Sequence, residues 1–169
     1  MKATQVLADG YGRISEVVHE AVEGLSAEEL NARIDPQANS IAWLVWHLTR
    51  VQDDHVADAS GREQVWTAQD WQSRFALPLP AGATGFGHTA RQAGSVRVES
   101  GELLLGYFDA VHEQSTAFIR SLAAADLERV VDERWDPPVT LGVRLVSVLA
   151  DDLQHAGQAA YVRGVLGRR

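Results

Sequence analysis

Two stretches of the chain set reactive side chains where a helix would ordinarily carry leucines. In LADDLQHAGQAAYVRG, residues 149–164, Asp151 precedes His155 by four positions. That is one helical turn, the spacing at which two side chains can converge on a single ion. Each helical residue advances by about 100°, so Leu141, Val148, Val162 and Leu166 fall within about 40° of His155. Asp151 then lies about 40° to one side and Asp152 about 60° to the other. His155 therefore stands in the middle of an apolar stripe. The stretch SIAWLVWHLTRVQDDHVAD, residues 40–58, repeats the pattern. Within about 60° of His47 lie Ser40, Trp43, Leu44, Arg50, Val51, Asp54 and Asp58, while His55 is displaced by about 80°.

Two chemistries are compatible with these residues. A histidine on an apolar face can be a hydrogen-bonded core residue, with Asp151 and Asp152 serving as partners of a basic helix and Asp54 as a solvated charge. Alternatively, the two inward imidazoles and an acid meet around a divalent metal, which would explain why carboxylates face inward at all. Burying Asp is expensive unless it is paired or bound to metal. His19, His88 and His112 read as structural, His88 lying in a glycine-rich connector. The chain has no cysteine, so a metal would be held by His, Asp or Glu, and thiol chemistry would need a thiol brought by a substrate. Gly85-Phe86-Gly87 lacks the further residues of a phosphate loop, and no Gly-x-Ser-x-Gly nucleophile elbow occurs.

The elements that must position these residues are helical. Residues 3–24 show three- and four-residue apolar spacing and end at Gly24; Ser26-x-x-Glu29 is a capping box for a short turn after it. A second helix is expected from Asn39 or Ser40 to Gly61, a third over roughly 100–123 with Ser100 as cap, and a fourth over about 140–166, ended by Gly167. Asp136-Pro137-Pro138 breaks the chain before the fourth. Convincing period-2 strands are missing. Four long helices make an all-α four-helix bundle the expected fold, in one domain spanning 1–169. Between helices two and three, Trp66, Trp71 and Phe75 suggest a short helix, followed by a run dense in Gly and Pro between 78 and 87. Its length suits a crossover that lets helices two and three run parallel.

Composition narrows the function. Of 169 residues, 46% are hydrophobic and 22% charged, ordinary for a globular chain. A net charge of −8 disfavours nucleic acid and anionic membranes as partners. No signal-type leader and no long uninterrupted apolar run is present, so a cytoplasmic location is the expectation.

The two quoted stretches, with WTAQDWQSRFALP and TGFGHTARQ in the connector, resemble the DinB superfamily over most of the chain. The Trp-His-Leu and His-x-Gly-Gln motifs carry the likeness, and the near-exclusive use of Arg over Lys agrees with the actinobacterial branch of DinB-like proteins, which includes thiol transferases. The resemblance implies a four-helix bundle with a long second-to-third crossover. It also implies a divalent metal, commonly zinc or nickel, held by one His of the second helix and a His-x-x-x-His pair of the fourth. His47 matches the first ligand and His155 the last. The middle position is Asp151 here, which keeps a ligand, adds a charge and favours harder ions.

Relatives with known activities handle a low-molecular-weight thiol such as mycothiol. The implied function is thus metal-dependent thiol S-transfer: an open coordination position binds the thiol as thiolate, which attacks an electrophile. On that reading Arg50 and Arg163 would either pair with polar groups of the thiol cosubstrate or, the favoured role, form surface salt bridges; Gln158 would orient a ligand or bound water, and Asp54 would serve as acid or base. The alternatives are a metal-dependent hydrolase on the same site and a non-enzymatic, stress-associated bundle whose metal site has degenerated. Such bundles commonly pair, so a homodimer is a further expectation.

Overall fold

The computed structural model describes residues 2–168; the two terminal residues of the expected 1–169 domain lie outside the described ones. Its elements are α1 (Ala3–Val22), α2 (Ala27–Asn31), α3 (Ile41–Ser60), α4 (Val65–Ala68), α5 (Trp71–Phe75), α6 (Ala90–Ser95), α7 (Gly101–Ser121), β1 (Val130–Asp132), β2 (Val139–Thr140) and α8 (Leu141–Leu166), with a single 3-10 turn at Ala124–Glu128. The long helices start where side-chain oxygens can take the orphan N–H groups of a first turn. Ser40 Oγ accepts from the Trp43 amide at 3.1 Å, Ser100 Oγ from Leu103 at 3.3 Å and Thr140 Oγ1 from Val143 at 3.4 Å. Ser26 and Glu29 cap α2 reciprocally. At its other end α3 stops on Gly61, whose φ of 68° lies in the left-handed region that an L side chain resists.

The four long helices close a ring in which α1 packs on α7 and α8, and α3 on α7 and α8. Their contacts fix the directions. His19 meets Asp109, and a Cβ on Gly101 would touch Val22, so α1 and α7 are antiparallel. Arg50 bonds Tyr107 while Arg62 lies over the Phe118 ring, so α3 and α7 run parallel, as the long crossover allows. His47 touches His155 and Arg144 bonds His55, which sets α8 antiparallel to α3. Tyr11, Ile14, Leu44, Trp46, Leu48, Tyr107, Phe108, Ile119 and Leu145 fill the centre. Among the described residues no helix is long and apolar enough to cross a membrane.

Two features depart from the sequence expectation. The connector is more ordered than one short helix, with α4, α5 and α6 in it. A two-stranded antiparallel sheet, Val130 opposite Thr140 and Asp132 opposite Val139, closes the 133–138 turn onto the start of α8. Strands of three and two residues are too short to show alternation, which is why period-2 patterning missed them.

The connector is held down by a buried charge. Arg50, 1% exposed, donates from Nε to the Ala83 carbonyl at 3.2 Å, from Nη2 to Gln64 Oε1 at 3.0 Å and from Nη1 to the Tyr107 hydroxyl at 3.1 Å. Its guanidinium lies 5.0 Å from the centre of the Trp66 ring and 3.5 Å from Asp53 Oδ2. Asp53 in turn accepts the Val65 and Trp66 amides and the Tyr107 hydroxyl, each at 2.8 Å. Removing one partner of such a buried pair leaves the other charged and uncompensated, costing about 3–5 kcal/mol. Asp53→Ala is therefore expected to lower the unfolding free energy obtained from urea titration by that amount, whereas a loss below about 1 kcal/mol would show that the pair is dispensable.

Candidate metal centre

His47, Asp151 and His155 each present one ligand atom, and the three atoms lie within 4.8 Å of one another. His47 is buried, and the other two are partly buried. The antiparallel packing of α3 on α8 produces the convergence: His47 comes from one helix, and Asp151 with His155 from a single turn of the other. Two ligand bonds of about 2.1 Å at a tetrahedral angle span roughly 3.4 Å, so the three groups need to draw in by side-chain rotation to close on an ion.

Both imidazoles are oriented by backbone carbonyls. His47 Nδ1 bonds the Thr84 carbonyl oxygen, and His155 Nδ1 bonds the Asp151 carbonyl at 2.9 Å. A carbonyl only accepts, so in both rings Nδ1 carries the proton and Nε2 of the neutral ring is left with a lone pair. This tautomer is the one a metal needs, and such partners commonly fix it. Trp43 stacks on His47 at 4.5 Å between centroids, while His155 approaches His47 edge-on at 4.6 Å. Asp151 Oδ2 is buried and has no hydrogen-bond partner, although it lies 3.3 Å from His155 Nδ1. A partly buried carboxylate and two imidazoles, each with one nitrogen outside its carbonyl bond, make a donor set suited to a divalent cation. The residues present fit one.

Electrostatics separate the three. Burial pushes the His47 pKa below its ordinary value, opposed by the bond to Thr84. Asp151 pushes that of His155 up, and His155 holds the Asp151 carboxyl down. Asp152, one residue on, has a different fate. It is 0% exposed, neither oxygen has a hydrogen-bond partner, and burial followed by the Asp151 charge drives its pKa far up. Successive helix positions diverge by about 100°, so one acid faces the cluster and its neighbour sits in the bundle interior.

The connector supplies the remaining wall. Gly85 has φ of 97°, and a Cβ there would lie 2.6 Å from His47 Nδ1 and 3.2 Å from Trp43. Only glycine lets the backbone approach closely enough for the neighbouring carbonyl to hold the imidazole. His88 accepts from Trp43 Nε1 at 3.2 Å and stacks on Trp46, the structural role expected of it.

A cleft of about 580 Å³ opens from the cluster, within the usual range for small-molecule sites. His47, Asp151, Asp54, His55 and Thr84 line it together with Asp132, Arg134 and Arg144. The last three belong to the hairpin and the start of α8, and sequence reading passed over them because the strands that deliver them carry no pattern. Asp54 is partly buried and accepts from Gln64 Nε2 at 2.8 Å. The other expected cosubstrate contacts are not in this cleft. Arg50 is occupied by the connector as described. Arg163 donates to the Glu23 carbonyl at 2.7 Å and lines a separate groove with Glu20 and Leu25. Gln158 is exposed on α8. Angle counting placed Arg50 near His47 correctly, yet one further turn along α3 points it at the connector.

Four long helices form a bundle with a His/Asp cluster between the second and fourth of them that could hold a metal ion. The chain belongs to the DinB superfamily, whose model matches residues 13–159. It is similar to a solved structure described as the conserved protein of a locus from Enterococcus faecalis, with 32% identity, a TM-score of 0.93, and coverage of 100% of this chain and 99% of that one. None of the curated proteins matches the sequence.

Two outcomes follow from this geometry. Gly85→Ala is expected to lower metal affinity about tenfold, the usual cost of disturbing a ligand's orienting partner, measured by competition with a chelating dye; unchanged affinity would remove Thr84 from that role. In metal-free protein, Asp151 favours the imidazolium of His155, so its NMR titration is expected above the ordinary histidine value. Asp151→Asn should move that midpoint down, and a midpoint that stays put would show that the carboxylate does not act on the ring.

Proposed function

We propose that this protein is a divalent-metal-dependent thiol S-transferase, with His47, Asp151 and His155 as the metal ligands. The observation that carries the reading is the convergence of His47, Asp151 and His155, whose ligand atoms lie within 4.8 Å of one another, with Nδ1 of each imidazole bonded to a backbone carbonyl. When bound, a divalent ion supplies positive charge that lowers the pKa of a thiol and so favours its nucleophilic thiolate form. In the family such ions are commonly zinc or nickel; one carboxylate in the ligand set favours a harder ion than three imidazoles would.

The protein's own residues do the rest. Trp43 and the Thr84–Gly85 backbone keep the His47 ring from rotating. His155 is fixed by its own helix. Asp54, which lines the cleft and is held by Gln64, is the carboxylate assigned to take the thiol proton. The absence of cysteine supports a cosubstrate thiol such as mycothiol over a protein nucleophile.

Elemental mass spectrometry on protein purified without a nickel column, wild type beside His155→Ala, tests the ligand set. Near-stoichiometric metal in the wild type, lost in a variant that keeps its helical circular dichroism, is the expected result. Full metal content in both would remove His155 from the site. The metal-loaded protein is then assayed for consumption of a simple electrophile with and without added thiol. Turnover should require the thiol; turnover of an ester without it would favour a hydrolase, and a protein that takes up no metal would be the degenerate bundle.

A further inference from the structure

The rim of the metal cleft has a composition that the thiol does not account for. Three aromatic side chains are exposed among the described residues: Phe86 at 91%, Trp135 at 65% and Tyr161 at 67%. Single exposed hydrophobics need no explanation, but Phe86 and Trp135 line the same cleft, joined by Val51, Val139, Val143 and Val148. They come from separate parts of the chain: the connector for Phe86, the hairpin for Trp135 in its turn and Val139 in β2, α3 for Val51 and α8 for the other two. Phe86 sits between Gly85 and Gly87, both at positive φ, a backbone shape that presents its ring to solvent instead of the core.

The arginines of the cleft are already spoken for. Asp132 takes Arg134 through Nε at 2.9 Å and Nη2 at 2.8 Å, and Arg144 Nη2 at 3.1 Å. Arg144 Nη1 donates to His55 Nδ1 at 2.7 Å, which makes that ring neutral. Asp54 is engaged by Gln64. A ligand lying across the rim thus meets rings and branched aliphatics on its sides and the internally paired Asp132, Arg134 and Arg144 beyond, with His47 and Asp151 at the floor.

We propose that the second substrate of this cleft is an electrophile carrying an uncharged, apolar, preferably aromatic group, held at the rim by Phe86 and Trp135. The assignment rests on the thiol-transfer reading for calling that molecule a substrate, though the binding surface stands on the rim residues alone. Burying exposed rings against an apolar ligand supplies affinity without a charged anchor. Phe86 and Trp135 would accordingly be specificity determinants and not catalytic residues.

The uncharged dye N-phenyl-1-naphthylamine tests this in fluorescence titrations of the purified protein, with metal content measured on the same samples. One equivalent is expected to bind, more tightly than the anionic 8-anilinonaphthalene-1-sulfonate. Phe86→Ala and Trp135→Ala should each weaken binding by about fivefold or more, and Tyr161→Ala should not. Both substituted side chains are exposed, so the variants should keep the wild-type melting temperature and metal content. Equal affinity in wild type and both rim variants would overturn the proposal, as would no dye binding at all. Tighter binding of the anionic dye would overturn the uncharged assignment. Loss of the metal reading leaves the dye result intact, so failure of either can be told from failure of the other.

Discussion

The site depends on a cation that never reaches it. Arg50 is buried between α3, α7 and the connector, and its donors go to the Ala83 carbonyl, Gln64 and Tyr107. Ala83 adjoins Thr84, whose carbonyl holds the His47 ring. A guanidinium taken out of water loses several kcal/mol of hydration, which only a full set of hydrogen bonds and a counter-charge offsets. The connector satisfies that demand, and so a segment rich in Gly and Pro is fixed in one conformation against α3. Its position on His47 follows from the needs of Arg50 as much as from its own sequence.

Within the bundle, polar groups are sorted by helix geometry. Asp53 and Asp54 are neighbours, as are Asp151 and Asp152. In each pair one acid reaches the cleft or metal cluster and the other is buried with a different task. Asp53 closes the buried network and accepts the first amides of α4. Asp152 faces the interior, where burial without a compensating partner drives its pKa far up. Burial alone therefore does not mark a functional acid. What distinguishes Asp151 is that its carboxylate shares a small volume with two imidazoles, within 4.8 Å of a ring nitrogen of each.

The hairpin before α8 makes the cleft asymmetric. It contributes Asp132 and Arg134, which pair with each other, and the exposed Trp135. Because the Leu141 amide bonds the Arg129 carbonyl at 2.7 Å, the hairpin is anchored at the base of the helix that carries Asp151 and His155. Trp135 on the rim and Asp151 and His155 at the floor are thus parts of one continuous segment, which packs against His47 on α3.

The sequence by itself determined the four long helices, a cap at Asn39 or Ser40 and another at Ser100, and the inward faces of His47 and His155. These are consequences of local rules: side-chain oxygens satisfy first-turn amides, and a period of about 3.6 residues turns every third or fourth side chain the same way. The one-turn pairing of Asp151 with His155 was legible for the same reason. Only the tertiary structure decided that Arg50 serves the connector, that Thr84 fixes the His47 tautomer, and that Asp132, Arg134, Arg144, Phe86 and Trp135 share a cleft. Those relations join residues from different elements. They depend on which helix packs antiparallel to which and on short strands and glycine turns that carry no period, and such information is absent from any local stretch of chain.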